Sequence, residues 1–350
     1  MSMIDDIYLP LEKFIGYPLE QDVKDNIRPK EKDGMYLYTY SDKVIVPRNH
    51  PVLMKCRGLV LDKDGNVLNY PFDRFFNPYE SESTDIDWET AQIQEKFDDS
   101  LICVFWYNDT WQITTRGSFY PNPMADVDFA DLFRKYFDGF DKLKKEFCYM
   151  FGLVTDQNRI VTWYDESFVT LLGMRNLDTL LELPYHVVRG VAEMLGVRSP
   201  RLYEAKSVEE CIQLFSTLKD DEEGFVAVDL NSNRLKLKQD SYLALAKIKM
   251  LKDDDILDYI RGNIELDAEL LQRDKEVVIR MQEIRRDWEG FVEILQTTFE
   301  GLNKSSRKEF ALEAITYPFR KFLFQMLDNR DIRKVRLDYD ELCSWRVDWK

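Results

Sequence analysis

Lys96 stands two residues before Asp98, just ahead of the apolar run Leu101-Ile-Cys-Val-Phe105. A lysine amine at the mouth of a buried strand can act as a nucleophile and carry a nucleotide on its nitrogen, provided it is uncharged. The ordinary lysine pKa is about 10.4, so burial and neighbouring cations must bring it down. Two cations suited to that task lie far downstream in Arg234-Leu-Lys-Leu-Lys238, where Lys236 and Lys238 fall on one face of a strand. Facing inward, the pair suits a triphosphate and would depress the pKa of Lys96; facing outward, it is a charged sheet edge. Just before it, Glu222-Glu-Gly-Phe-Val-Ala-Val228 sets Glu223 at the mouth of another apolar strand. A carboxylate there can hold a ribose hydroxyl or a metal-bound water.

Upstream, Arg57-Gly58 opens a strand with a planar guanidinium that suits phosphate, followed by a residue that permits close backbone approach. Asp73-Arg-Phe-Phe-Asn77 puts Arg74 beside aromatics that can stack on a purine, although Phe75 and Phe76 read equally well as core. Each segment alone has an ordinary structural reading. Lys-x-Asp arises often by chance, and an Arg-Gly at a strand start is usually a surface ion-pair partner. Only in combination do these segments point to a nucleotide site.

The elements that must position these residues are legible in outline. Residues 1–34 are interrupted by Pro10, Pro18 and Pro29, and residues 35–46 are dense in β-formers. Hairpins are expected around Asp64-Gly65-Asn66 and around Asn108-Asp109. Residues 126–146 have helical spacing; 149–154, 159–164 and 168–172 read as strands; 179–195 and 207–218 read as helices. Residues 224–229 and 234–237 read as two further strands. Near Tyr242 the pattern changes to long amphipathic helices over 267–296 and 305–327, so a domain boundary is expected near residue 246.

The formal net charge of −16 argues against a protein that coats nucleic acid non-specifically, and leaves room for a local basic cleft. No run approaches the roughly eighteen apolar residues of a membrane span, and the acidic N-terminus lacks a signal peptide's pattern. Five scattered cysteines and two histidines give no zinc spacing and no disulfide framework, which points to a reducing cytosol.

Seven segments then fall in a familiar order: Cys-Arg-Gly (56–58), Arg-Phe-Phe-Asn (74–77), Lys-Phe-Asp-Asp-Ser (96–100), Arg-Gly-Ser (116–118), Asn-Arg-Ile-Val (158–161), Glu-Gly-Phe-Val-Ala-Val (223–228) and Lys-Leu-Lys (236–238). From about Tyr36 to Tyr242 the chain resembles the phage-type RNA ligase 1 family of covalent nucleotidyltransferases, relatives of DNA ligases and mRNA capping enzymes. The resemblance implies an α+β fold. Residues 1–246 would form a nucleotidyltransferase (adenylation) domain of ATP-grasp-like antiparallel sheets with flanking helices. Residues 247–350 would form an all-α domain that bears on RNA-substrate choice.

The implied activity is ATP-dependent joining of RNA 5′-phosphate and 3′-hydroxyl ends, as in RNA repair, through a lysyl-adenylate on Lys96. The implied nucleotide-binding residues are Tyr40, Arg57, Arg74, Phe76, Arg116, Glu223, Lys236 and Lys238. ATP and Mg2+ would be the cofactors, with Glu223 reaching the metal through water. RNA, tRNA among the candidates, would be the partner of a monomer in the cytoplasm, a host's if the chain is phage- or virus-encoded. A second reading is a protein of the same fold that binds RNA ends or nucleotide without turnover. Its motive is a pair of departures. The family's nucleophile motif is Lys-x-Asp-Gly, and Asp99 stands in place of the glycine; the family's Phe-Glu strand has Gly152 in place of the glutamate. The compensating expectation is that Asp99 replaces the carboxylate missing at position 152.

Overall fold

The computed structural model describes residues 3–41, 46–120 and 127–345. The chain divides into two compact units, Met1–Tyr242 and Leu243–Lys350.

The first unit holds three four-stranded sheets, antiparallel throughout their ladders. Strands β1 (Ile27–Lys32), β2 (Met35–Tyr40), β3 (Arg57–Asp62) and β4 (Val67–Asn69) form one sheet in chain order. Next along the chain come β5 (Gln92–Lys96), β6 (Ser100–Tyr107), β7 (Thr110–Thr115), β8 (Phe147–Val154) and β9 (Phe168–Asn176). They are followed by β10 (Leu202–Tyr203), β11 (Gly224–Val228) and β12 (Arg234–Lys238). The second sheet has the order β7-β6-β8-β9 and the third β10-β5-β11-β12. Consecutive strands β5 and β6 therefore belong to different sheets, and residues 97–99 after Lys96 step from one to the other.

Both expected hairpins form. Asp62 accepts backbone N–H bonds from Asp64 and Asn66 at 2.8 and 2.9 Å, and Gly65 takes φ 86° to close the β3–β4 turn. Asn108 and Asp109 both have positive φ, 48° and 57°, the backbone that matches the twist of a two-residue hairpin loop.

Several expectations need correction. A helix at Met3–Ile15 runs through Pro10, at the loss of one backbone hydrogen bond, with Tyr8 and Leu11 anchoring it in the core. Pro29 sits in β1, an edge strand where its missing N–H is tolerated. The expected strand over 35–46 ends at Tyr40, and residues 42–45 lie outside the described residues. Residues 159–164 are not a strand, because the Asp98 carboxylate takes the N–H groups of Val161 and Thr162. The helix expected from residue 179 starts only at Tyr185, after Pro184; before it, Asn176 Oδ1 accepts from Asp178 and Thr179 and holds a turn. The helical stretch over 126–146 contracts to Phe129–Tyr136, capped by Asp128, and a short 3-10 turn at Gly139–Lys142.

The second unit is helical, with no strand among its described residues. Its longest helix, Lys275–Gly301, turns Val277, Met281, Ile284, Trp288, Phe291 and Leu295 inward at spacings of three and four, as an amphipathic helix must. The two long helices expected from periodicity are each broken. Asp274 caps a new start after Ala268–Leu271, and Arg307–Ala314 is separated from Arg320–Leu327 by a segment containing Pro318. Among the described residues, no helix is long and apolar enough to cross a membrane.

Candidate active site

The third sheet places the reactive side chains. Its register sets Lys96 on β5 opposite Gly224 on β11, and Gly224 opposite Lys238 on β12. Residues directly opposite on neighbouring strands face the same way, so Lys96 and Lys238 share a face with only a glycine between them. Position 224 admits nothing larger: its φ is 135°, and a Cβ there would lie 3.1 Å from the Leu237 carbonyl carbon and closer still to its oxygen. Leu235 and Leu237 are buried, so alternation turns Lys236 and Lys238 the other way, onto the site face.

Glu223 occupies the gap. Its carboxylate is 5% exposed and bonds Lys96 Nζ through Oε2 at 2.8 Å and Lys238 Nζ through Oε1 at 2.6 Å. This reverses the expected electrostatics of the nucleophile. Burial pulls the Lys96 pKa down, but the charges of Glu223 and Asp99 more than offset it, and the ammonium is held above its usual value. Lys236 behaves as expected of a stacked cation. Burial, with Lys238, Arg57 and Lys96 adding to it, pushes its pKa down to about 8, against a counter-pull from Glu80.

The remaining basic residues converge from other sheets. Arg57 opens β3; burial lowers its pKa, and the Arg116 charge acts on it in the same direction. Gly58, with φ 93°, lets the chain pass Arg116, whose Cα would lie 3.2 Å from any Cβ at that position. The Arg74 guanidinium lies 4.1 Å from the centre of the Tyr40 ring, and Arg116 lies 5.2 Å from the same ring and donates to the Tyr40 hydroxyl at 3.2 Å. Nη1 of Arg57 and Nη1 of Arg74 are buried without a hydrogen-bond partner. Such donors are costly unless an incoming acceptor satisfies them, and a phosphate oxygen is the acceptor a guanidinium fork suits.

Phe76 is only 2% exposed beneath Arg74, yet with Arg74 and Phe75 it lines a separate cavity of about 270 Å³ that Lys96 does not reach. Its neighbour Phe75, with Arg57 over its ring at 5.3 Å, lines the narrow cavity beside Lys96. Arg57, Lys96, Asp99 and Val226 also line that cavity, about 80 Å³ in volume. Ligand pockets usually run from about 300 Å³ upward, so the cleft must widen to admit a nucleotide. A larger cavity of about 980 Å³ is lined by Glu95 and Phe97 but not by Lys96. Three of its cations are already paired, Arg201 with Glu95, Arg198 with Glu166 and Arg189 with Glu193.

Sequence reasoning passed over Asp98 and Tyr242. Asp98 is buried and accepts from Val161 N at 2.6 Å, Thr162 N at 2.8 Å and the Tyr242 hydroxyl at 2.8 Å. Asn158 donates to Ser100 Oγ at 2.9 Å and to the Leu153 carbonyl at 2.7 Å. Together they tie the turn after Lys96 to the Asn158-Arg-Ile-Val segment. The Lys-x-Asp spacing was the available signal for Asp98; nothing marked Tyr242.

A divalent cation has limited purchase on the protein alone. Among the described residues, no group of three or more His, Cys, Asp or Glu could hold one. Both Glu223 oxygens are engaged, so that carboxylate would meet a cation through water. A divalent cation at this site would have to take most of its oxygen ligands from elsewhere than these side chains.

A family model described as RNA ligase matches residues 55–249, more than half of the chain. The chain is 33% identical over 261 aligned residues to a putative bifunctional polynucleotide kinase/RNA ligase of Autographa californica nuclear polyhedrosis virus, covering 63% of this chain and 36% of that protein. It is 26% identical over 415 aligned residues to an RNA ligase of Rhodothermus phage RM378, covering 93% of this chain and 92% of the phage protein. Among solved structures, an archaeal ATP-dependent RNA ligase overlaps 90% of this chain and 89% of its own, at a TM-score of 0.49 and 13% identity.

Proposed function

The chain belongs to the phage-type RNA ligase 1 family, and from that membership we propose that it is an ATP- and Mg2+-dependent ligase that seals RNA 5′-phosphate to 3′-hydroxyl ends through an adenylate on Lys96. The observation that carries this reading is the array across three strands, in which Lys96 and Lys238 flank Gly224 and share Glu223.

In the first step the neutral Lys96 amine forms a bond to the α-phosphorus as the bond to the bridging oxygen breaks. Pyrophosphate leaves with that electron pair, and the nitrogen sheds one proton and keeps one. Lys236 and Lys238 face the same side of the sheet and bind the phosphate oxygens. Arg57 and Arg74, each with an unpartnered Nη1, take further oxygens, and Arg116 and Tyr40 orient Arg74. When bound, Mg2+ supplies neutralisation of phosphate charge, with Glu223 as the side chain that meets its water. In the second step an RNA 5′-phosphate oxygen attacks the same phosphorus, the nitrogen–phosphorus bond breaks, and Lys96 recovers a proton. In the third, a 3′-hydroxyl oxygen attacks the activated 5′-phosphorus and AMP departs. The helical unit Leu243–Lys350 is the part assigned to RNA choice.

The test is incubation with α-labelled ATP and magnesium, followed by denaturing electrophoresis. A covalent adduct that Lys96→Ala abolishes supports the reading. Folded protein that forms no adduct with any nucleotide sinks it, and leaves binding of RNA ends without turnover as the alternative.

A further inference from the structure

The turn that links β5 to β6 carries Asp99 beside the nucleophile, and its side chain leans toward β8. Register places Ser100 opposite Leu153 and Leu101 opposite Gly152. A Cβ built on Gly152 would stand 2.9 Å from Asp99 Cγ and 3.3 Å from Asp99 Cβ, with Oδ2 nearer still. The Asp99 carboxylate therefore lies in the space that any side chain at position 152 would enter. With Asp99 in this rotamer the space is filled, and a side chain at position 152 would require the carboxylate to swing aside.

Two carboxylates act on Lys96, those of Glu223 and Asp99, and the nearby Asp98 in the same turn is committed elsewhere. Glu223 is shared between Lys96 and Lys238. Asp98 is consumed by two backbone N–H groups and the Tyr242 hydroxyl. Asp99 lines the cavity with Lys96 and Arg57, and no hydrogen bond to its side chain is formed among the described residues. Half-buried and without a donor, this carboxylate is the one left to answer the Lys96 charge. Burial pushes its pKa up to about 7; Lys96 opposes the rise, and Glu223 and Asp98 add to it, with Arg57 opposing.

We propose that Asp99 is a positioning residue for the nucleophile, supplying from the turn after Lys96 the charge that strand β8 would otherwise supply from position 152, and that Gly152 is small so as to admit it. Asp99 acts through Lys96. Its carboxylate lines the same cavity as the ammonium that Glu223 bonds, and so governs where Lys96 rests. This rests on the assignment of Lys96 as the adenylated residue.

The experiment is single-turnover lysyl-adenylate formation with α-labelled ATP and magnesium across pH 5.5 to 9. It compares the parent protein, Asp99→Asn, Asp99→Gly, Gly152→Glu and the double variant Asp99→Gly/Gly152→Glu, with a thermal melt of each. Expected are at least a fivefold loss of rate in Asp99→Asn and Asp99→Gly, and loss of the inflection near neutral pH in Asp99→Asn. Gly152→Glu alone should melt below the parent. The double variant should melt above Gly152→Glu and form adenylate at least fivefold faster than Asp99→Gly. The proposal is overturned if either Asp99 variant stays within fivefold of the parent, or if a folded double variant is no faster than Asp99→Gly. Should the double variant fail to fold, the rate and pH profile of Asp99→Asn decide alone. A parent protein that forms no adduct defeats the ligase reading instead, and the melts of Gly152→Glu and the double variant then decide the steric exchange by themselves.

Discussion

Lys96 and Glu223 meet at 2.8 Å, and the same carboxylate holds Lys238 at 2.6 Å, so the nucleophile rests as a paired ammonium. Attack on phosphorus requires this pairing to loosen. In Glu223→Gln the negative charge is gone, and Lys96 releases its proton at a lower pH, as loss of a close opposite charge requires. The midpoint can be read from the pH dependence of Lys96 acylation followed by peptide mass spectrometry. An unchanged midpoint would show that Glu223 does not hold the ammonium. Because the folded-state pKa of Lys96 is raised, its pairing contributes stability that is complete at neutral pH and fades as pH climbs through the lysine range. The melting temperatures of parent and Glu223→Gln should therefore differ most near neutrality and converge in alkali.

Asp99 gives the opposite linkage. Its pKa is raised from 3.8 to about 7, so between those values the folded chain binds more protons than the unfolded one. Stability from this residue accordingly falls as pH rises through that window. Relative to Asp99→Asn, the parent protein gains stability as pH is lowered from 7 toward 4. Denaturant midpoints of the two proteins across that range measure it, and parallel curves would rule it out.

What the sequence made legible was local. Glu-Gly-Phe-Val and Lys-Leu-Lys read as strands, and alternation put both lysines on one face without any knowledge of the third sheet. The register that aligns Lys96, Gly224 and Lys238 was not legible, since β5 and β11 lie far apart in the chain. For the same reason the expectation of a depressed Lys96 pKa failed: it weighed two cations and could not see Glu223 lodged between them. Phe75 and Phe76 had the same type and neighbourhood, and only the fold shows Phe76 buried beside the bridge to Leu235 and Phe75 half-buried against Phe72 and Met150. Residues 159–164 were apolar enough for a strand, but a carboxylate from another part of the chain claimed their N–H groups.

That claim has a measurable cost. Asp98→Ala leaves the N–H groups of Val161 and Thr162 without their acceptor, each worth roughly 1–3 kcal/mol when buried. Tyr242→Phe removes only one partner of the same carboxylate and should cost about 1 kcal/mol. Denaturant unfolding should rank parent, Tyr242→Phe and Asp98→Ala in falling stability. Amide exchange at residues 161 and 162 should accelerate in Asp98→Ala while exchange within β1 and β2 stays unchanged. Equal stability of Asp98→Ala and parent would remove Asp98 from this role.

Gly224 tests the site's geometry most directly, because it carries no side-chain chemistry. Its φ of 135° and the closeness of the Leu237 carbonyl leave no room for a methyl group. Gly224→Ala must shift β11 away from β12, at a cost of at least about 2 kcal/mol, near the upper end for single substitutions. For a unit of this size, that is a fall in melting temperature of roughly 4–8 °C. The same shift pulls Lys238 away from Glu223 and Lys96, so lysyl-adenylate formation should fall at least tenfold even at temperatures where the variant is fully folded. A variant that melts lower yet forms adenylate at the parent rate would mean that the alignment of Lys96 with Lys238 is structural, and that the phosphate is gripped by Arg57 and Arg74 instead.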